Sequence, residues 1–162
     1  MSADYLVLYA LVRGDLSSMK AGKGMAQCMH AQAMFDKFEI IEPYRHGLQP
    51  SEDVLAWHNT TPQGFGTTLT ILIPDLGTLE ALSEAAEAMN HPSGVVIDPT
   101  YPFHVDNEIV MRLDRSRFTL PPVYGGPGKS VCFVEEKTVG YMFGWKSKLA
   151  VLLARFGLVP NE

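Results

Sequence analysis

Asp15-Leu16-Ser17-Ser18-Met19-Lys20-Ala21-Gly22-Lys23-Gly24-Met25-Ala26-Gln27-Cys28-Met29-His30-Ala31 is the stretch whose reading decides the fold. An apolar run, Tyr5 to Val12, precedes it and reads as a strand. A helix-length segment follows it, with no proline until Pro43. The order is therefore strand, polar Gly/Lys turn, helix. A helix start offers free N–H groups, and with lysines beside it the turn is suited to anions. Lys23, Gln27 and His30 follow at steps of four and three, which places them on one stripe of the helix. Two readings are open at this point. One is a phosphate or ester site built from a cation, an amide and an imidazole. The other is a solvated polar face with a buried, satisfied histidine.

Outward from this stretch the pattern alternates. Leu6 to Val12 shows no polar alternation, as in a central strand covered on both faces. Residues 22–41 read as a helix with Met25, Cys28, Met29 and Ala33 on its apolar side and Pro43 as its end. Ser51 caps a short helix through Trp57. Thr67 to Ile73 is strongly β-prone. Thr78 to Met89 has the clearest helical period, with Leu79, Leu82, Ala86 and Met89 inward, and Asn90-His91-Pro92 stops it. Gly94 to Ile97 reads as a short buried strand ending at Asp98. Tyr101 to Gly128 reads as irregular, with a strand at Glu108 to Leu113. Ser130 to Glu135 and Thr138 to Phe143 read as a hairpin around Glu136-Lys137. Ser147 to Phe156 is the last helix, stopped by Gly157. Alternating strands and helices predict an α/β fold, a three-layer sandwich. Its mixed central sheet would have about four strands, with helices on both faces.

Composition sets limits. The 162 residues suit one domain with a real core and an elaboration at about 101–130. Hydrophobic residues at 46% and charged residues at 19% exclude a disordered chain. No apolar run is long enough to span a membrane, and the N-terminal apolar run is broken by Arg13 and Asp15, unlike a secretory signal. Cys28 and Cys132 have no paired spacing, so the expected compartment is the reducing cytoplasm. The net charge of −5 is unevenly spread. Residues 51–110 hold nine acidic side chains and no Lys or Arg, whereas residues 111–162 hold eight basic and four acidic ones. A locally basic face is compatible with transient RNA binding; strong non-specific binding is not.

Gly125-Gly126-Pro127-Gly128-Lys129-Ser130 is half a phosphate loop, but Val123 stands where that motif needs Gly and a strand follows instead of a helix. His46, His58, His91 and His104 lack metal-binding spacing, and neither a Gly-x-Ser-x-Gly nor a His-Glu-x-x-His motif occurs. No metal or other cofactor is implied.

The opening stretch resembles the signature of the type II peptidyl-tRNA hydrolases, the archaeal and eukaryotic type. In that family the first strand ends in Arg-x-Asp-Leu, followed by Met, a Gly/Lys turn, Ala-Gln and His-Ala. The matching residues are Arg13, Asp15, Leu16, Met19, Gly22, Lys23, Ala26, Gln27, His30 and Ala31. One extra residue separates Asp15 from Met19, and Lys20-Ala21 replaces part of the usual Gly-Lys-Gly. The family's Asp-small-Gly-x-Thr is here Asp98-Pro99-Thr100, without the Gly and with the Thr two residues early. Its Pro-Gly turn into a strand with a hydroxyl residue is similar to Pro127-Gly128-Lys129-Ser130-Val131. The resemblance implies hydrolysis of the ester joining peptide to tRNA, with tRNA as partner, no membrane, and homodimerisation left open. It implies Lys23 on phosphate or oxyanion, Asp98 orienting Lys23 or water, and Gln27 and His30 positioning substrate or water. Arg13, Asp15, Lys20, Gly22, Thr100 and Ser130 would contact substrate. The alternative is a non-catalytic protein on the same scaffold, holding RNA, a nucleotide or a protein partner, motivated by the altered Asp98 loop.

Overall fold

The computed structural model describes residues 4–158. Strand β1 (Leu6–Arg13) leads into helix α1 (Ala21–Asp36). A π-helical turn, Lys37–Ile41, joins α1 to the short α2 (Glu42–Arg45). Pro43 therefore does not end the helical run, as the sequence had suggested. It stands in the first turn of α2, directly after the π-helical turn, the part of a helix that best tolerates proline. Helix α3 (Glu52–His58) is capped by Ser51, whose hydroxyl accepts from Val54 N at 3.3 Å. Strand β2 (Thr67–Ile73) precedes α4 (Leu76–Ala88), which starts two residues before Thr78 because the Asp75 carboxylate caps it, accepting from Thr78 N at 2.7 Å. Asn90 takes φ 59°, the left-handed turn that stops α4.

Three further strands follow, β3 (Ser93–Asp106), β4 (Phe118–Gly126) and β5 (Lys129–Trp145), and the strand order is β2-β1-β5-β3, with β4 also pairing β5. Strand β1 runs parallel to β2, from Val7 opposite Thr67 to Arg13 opposite Ile73. It runs antiparallel to β5 (Lys129–Trp145), from Leu6 opposite Trp145 to Val12 opposite Val139. An interior position explains the missing polar alternation of β1. Its odd residues Val7, Tyr9 and Leu11 pack with Leu79, Leu82 and Ala86 of α4 and with Leu149, Leu152 and Leu153 of α6 (Lys146–Arg155). Its even residues Leu8, Ala10 and Val12 pack with Ala31 and Phe35 of α1 and with Val54 and Trp57 of α3. Tyr141 and Phe143 join that second layer, with the Phe35 ring 5.0 Å from Phe143 and 5.5 Å from Trp57. The result is the expected three-layer α/β sandwich with a mixed sheet.

The face of α1 differs from expectation. Gln27, Ala31 and Phe35 are buried, whereas Met25 and Met29 are 71% and 73% exposed and Ala33 is also exposed. The buried stripe runs at steps of four from a glutamine, so a reading by hydrophobicity alone selects the neighbouring stripe. Met89 of the α4 pattern is likewise exposed.

The chain divides into two compact units, Met1–Val96 with Val139–Glu162, and Ile97–Thr138. The second unit encompasses the expected elaboration, but it is not irregular. Strand β3 (Ser93–Asp106) continues through Pro99 and Pro102, so Asp98 lies within a strand and not at its end. Glu108 to Leu113 is not a strand; helix α5 (Asn107–Val110) occupies its start. Strand β4 (Phe118–Gly126) contains Pro121-Pro122, with register shifts around them. Strand β5 passes straight through Glu136-Lys137, so the expected hairpin there is absent. The hairpin instead joins β4 to β5, with Gly126 opposite Lys129 and Gly126 and Gly128 at φ 119° and 70°. This turn accounts for the Gly/Pro run that imitated half a phosphate loop. Val105, Val110 and Cys132 form the small core of this unit.

Candidate functional site

Strand β1 delivers Arg13 to the C-terminal edge of the sheet, and Gly14 N extends the ladder by donating to Ile73 O at 2.8 Å. Arg13 is 6% exposed. Its guanidinium grips Asp15 with both arms, Nε to Oδ1 at 2.9 Å and Nη2 to Oδ2 at 2.6 Å. Hydrogen bonding from Arg13 holds the Asp15 carboxyl below the ordinary carboxylate range. This pair fixes the exit of the strand. The chain then turns through Met19 N donating to Leu16 O and Lys20 N to Ser18 O, at 2.8 and 2.9 Å.

Helix α1 opens at Ala21. Lys20 at its N-cap is extended (φ −90°, ψ 167°), and its side chain makes no capping bond. The first intrahelical bond is Gly24 N to Lys20 O at 2.8 Å. The amides of Ala21 and Gly22 thus precede any helical acceptor. A Cβ added at Gly22 or Gly24 would meet nothing within 4 Å, and neither residue has positive φ. The backbone does not need glycine at either place. The two glycines leave this helix start open to close approach from outside.

Lys23 is half-buried, Gln27 is 3% exposed and His30 is exposed. Gln27 Oε1 lies 3.3 Å from His30 Nδ1. The amide oxygen only accepts, so a proton on Nδ1 would be the donor of this contact. Arg13, Asp15, Lys20, Gly22, Lys23, Gln27 and His30 therefore all lie on the β1–α1 junction of the first unit. Asp98, Thr100 and Ser130 belong to the second. Asp98 Oδ1 accepts from Thr100 N at 2.9 Å, closing a local turn of the kind Asp favours. Ser130 Oγ donates to Asn107 Oδ1 at 2.7 Å, and Lys129 Nζ meets Asp106 Oδ1 at 2.8 Å. Both contacts tie the β4–β5 hairpin to the start of α5.

Two cavities flank α1. One, of about 360 Å³, adjoins the helix start and is lined by Met19, Lys20, Gly24, Met25, Cys28, Thr70 and Leu72 among others. Cys28 Sγ and Thr70 Oγ1 are 3.4 Å apart on its wall. The other, of about 490 Å³, lies towards the C-terminal end of α1, between Gln32, Asp36, His58, Phe65 and Thr68. There Gln32 Nε2 donates to Asp36 Oδ1 at 2.9 Å, and His58 Nε2 stands 3.7 Å from the same oxygen. The sequence reading missed both cavities. Their signal was faint: β2 carries Thr68, Thr70 and Leu72 on the side facing α1, which covers them only in part, and Leu72 is 67% exposed.

No family model matches the chain, and no curated protein sequence matches it. Among the described residues no three His, Cys, Asp or Glu side chains cluster to hold a metal ion, and no helix is long and apolar enough to cross a membrane. An uncapped helix start with adjacent lysines can hold a phosphate or stabilise an oxyanion. Arg13 and Gln27 are buried beside that edge, and the exposed His30 imidazole is a side chain able to orient a water.

Proposed function

We propose that this chain hydrolyses the ester bond of peptidyl-tRNA, releasing peptide and free tRNA. The observation that carries the reading is the open start of α1, with two glycines in its first turn that the fold does not require. Each glycine in a helix costs about 0.5–1 kcal/mol relative to alanine. Two of them, side by side with Lys20 and Lys23, make physical sense if a ligand comes close to this backbone. The resemblance to the type II hydrolases rests on the same residues and supplies the substrate class. In this reading the amides of Ala21 and Gly22, with Lys23, take phosphate or the developing oxyanion, and Gln27 and His30 position substrate or water. A second reading, RNA or nucleotide binding without hydrolysis, is favoured by Asp98, which sits inside β3 and is engaged with Thr100 N.

The test is Lys23→Ala assayed on N-acetyl-aminoacyl-tRNA. The expected result is a fall in turnover of at least about 100-fold, the scale of losing one oxyanion-stabilising group. The melting temperature should fall only slightly, since losing a half-buried side chain at a helix start typically costs no more than about 1 kcal/mol. Near-normal turnover in this variant refutes the assignment.

A further inference from the structure

Strand β2 lies at the end of the sheet order and pairs only with β1 among the described residues. In a strand the N–H and C=O of one residue point the same way, and successive residues alternate. Ile73 O bonds Gly14 N on the β1 side, so residues 67, 69, 71 and 73 face β1. The backbone groups of Thr68, Thr70 and Leu72 therefore face the open edge. Such an edge is a template for another extended chain, and natural sheets guard it with charge, proline or a bulge. Thr67–Ile73 contains no charge and no proline, and its register against β1 is unbroken.

The surroundings give this edge a direction. Because β1 and β2 are parallel, their C-terminal ends lie together at the start of α1, and α1 runs back towards their N-terminal ends. The cavity at Lys20, Met25, Thr70 and Leu72 sits at the first end, and the cavity at Gln32, Asp36 and Thr68 at the second. A cation thus marks one end of the edge and a carboxylate the other. A peptide esterified to an anionic carrier has the complementary polarity: amine at its start, anion beyond its end.

Resting on the hydrolase reading, we infer that the peptide moiety of the substrate binds as an added strand on β2, parallel to it. Its esterified end would lie at the start of α1 and its amino end towards Asp36. Main-chain bonds to Thr68, Thr70 and Leu72 are indifferent to peptide sequence, as in other strand-addition modes. The deformable side chains of Met19 and Met25, with Leu72, line the cavity that takes the side chain next to the ester. Three outward residues extend over about 13 Å, enough for three to four peptide residues.

The test has two arms. In the first, amide hydrogen exchange is followed residue by residue on the full chain, with and without millimolar Gly-Ala-Ala-amide. Slowed exchange at Thr68, Thr70 and Leu72 is expected; unchanged exchange there overturns the inference. This arm needs no catalysis, so it stands or falls apart from the hydrolase reading. In the second, Thr70→Pro deletes one outward N–H without touching the β1 ladder. The KM for tripeptidyl-tRNA should rise relative to that for N-acetyl-aminoacyl-tRNA, the ratio growing about tenfold. An unchanged ratio overturns the inference, as does sedimentation showing β2 closed by a second copy of the chain. Cleavage of neither substrate by the wild type refutes the hydrolase reading itself. Circular dichroism of the variant establishes that it is folded.

Discussion

At the residue scale, three side chains separate structural from functional demands. Tyr9 is fully buried in the layer beneath α4 and α6, and its hydroxyl has no hydrogen-bond partner among the described residues. Burial also pushes the Tyr9 phenol up. A buried, unpaired hydroxyl costs about 1–3 kcal/mol. Tyr9→Phe should therefore leave stability unchanged or raise it, measured by urea midpoint; a loss above about 1 kcal/mol would reveal a partner for that oxygen. Glu39 is different. Burial raises its pKa, against the opposing hydrogen bond from Tyr141 Oη at 3.3 Å. A folded-state pKa above the unfolded value means that the native state holds the proton more tightly. Stability then falls as pH rises from the ordinary glutamate range through the raised folded value. Glu39→Gln keeps an acceptor for Tyr141 and removes this dependence. The variant should be at least as stable as wild type at pH 7, with its advantage shrinking towards pH 4. A constant difference across that range would contradict the assignment. Gln27 shows where sequence reading fell short at this scale. A glutamine looks exposed, yet at 3% exposure it begins the inward stripe of α1. The cue was spacing, Gln27-Ala31-Phe35, and hydrophobicity pointed to the methionines instead.

At the element scale, the start of α1 makes the sharpest claim. Gly24→Ala adds a methyl group that meets no neighbour. It should stabilise the protein by about 0.5–1 kcal/mol, the ordinary helix propensity difference, while lowering activity by obstructing the approach of substrate. Thermal melts and turnover measured on the same preparation check both halves. A variant that is less stable, or equally active, contradicts the open-start account. Elements with a single packing role were legible: β1 by its continuous apolar run, β2 by β-branched density, α3 by Ser51, α6 by Leu149, Leu152 and Leu153 with Gly157. The long strands were not. Strand β5 serves β4 through Phe118–Gly126 and β1 through Val139–Trp145, so its polar middle, Glu136-Lys137, imitates a turn. Strand β3 carries Pro99 and Pro102, which ordinarily argue against a strand. Both misreadings fall where the chain passes between its two compact units. Asp98 was misplaced for the same reason.

At the scale of the whole molecule, the three-layer architecture follows from one fact, that β1 is apolar on both faces. Helices α1 and α3 then cover one side, and α4 and α6 the other. That Arg13, Lys23, Gln27 and His30 fall on one strand–turn–helix run was legible because these elements are contiguous in the sequence. The groove along β2 was not, since it joins residues about forty positions apart, Cys28 with Thr70. A net charge of −5 makes long-range attraction for any polyanion weak, so under the proposed function the contacts would fall to the few cations at the helix start. If about three phosphates are contacted, log K should fall with log salt at a slope of roughly −2 to −3. The most direct measurement is release of free tRNA from N-acetyl-aminoacyl-tRNA by the purified wild-type chain, across a salt series. The account predicts ester cleavage with kcat/KM falling along that slope. No cleavage with enzyme in excess over substrate, or cleavage indifferent to salt, would contradict it.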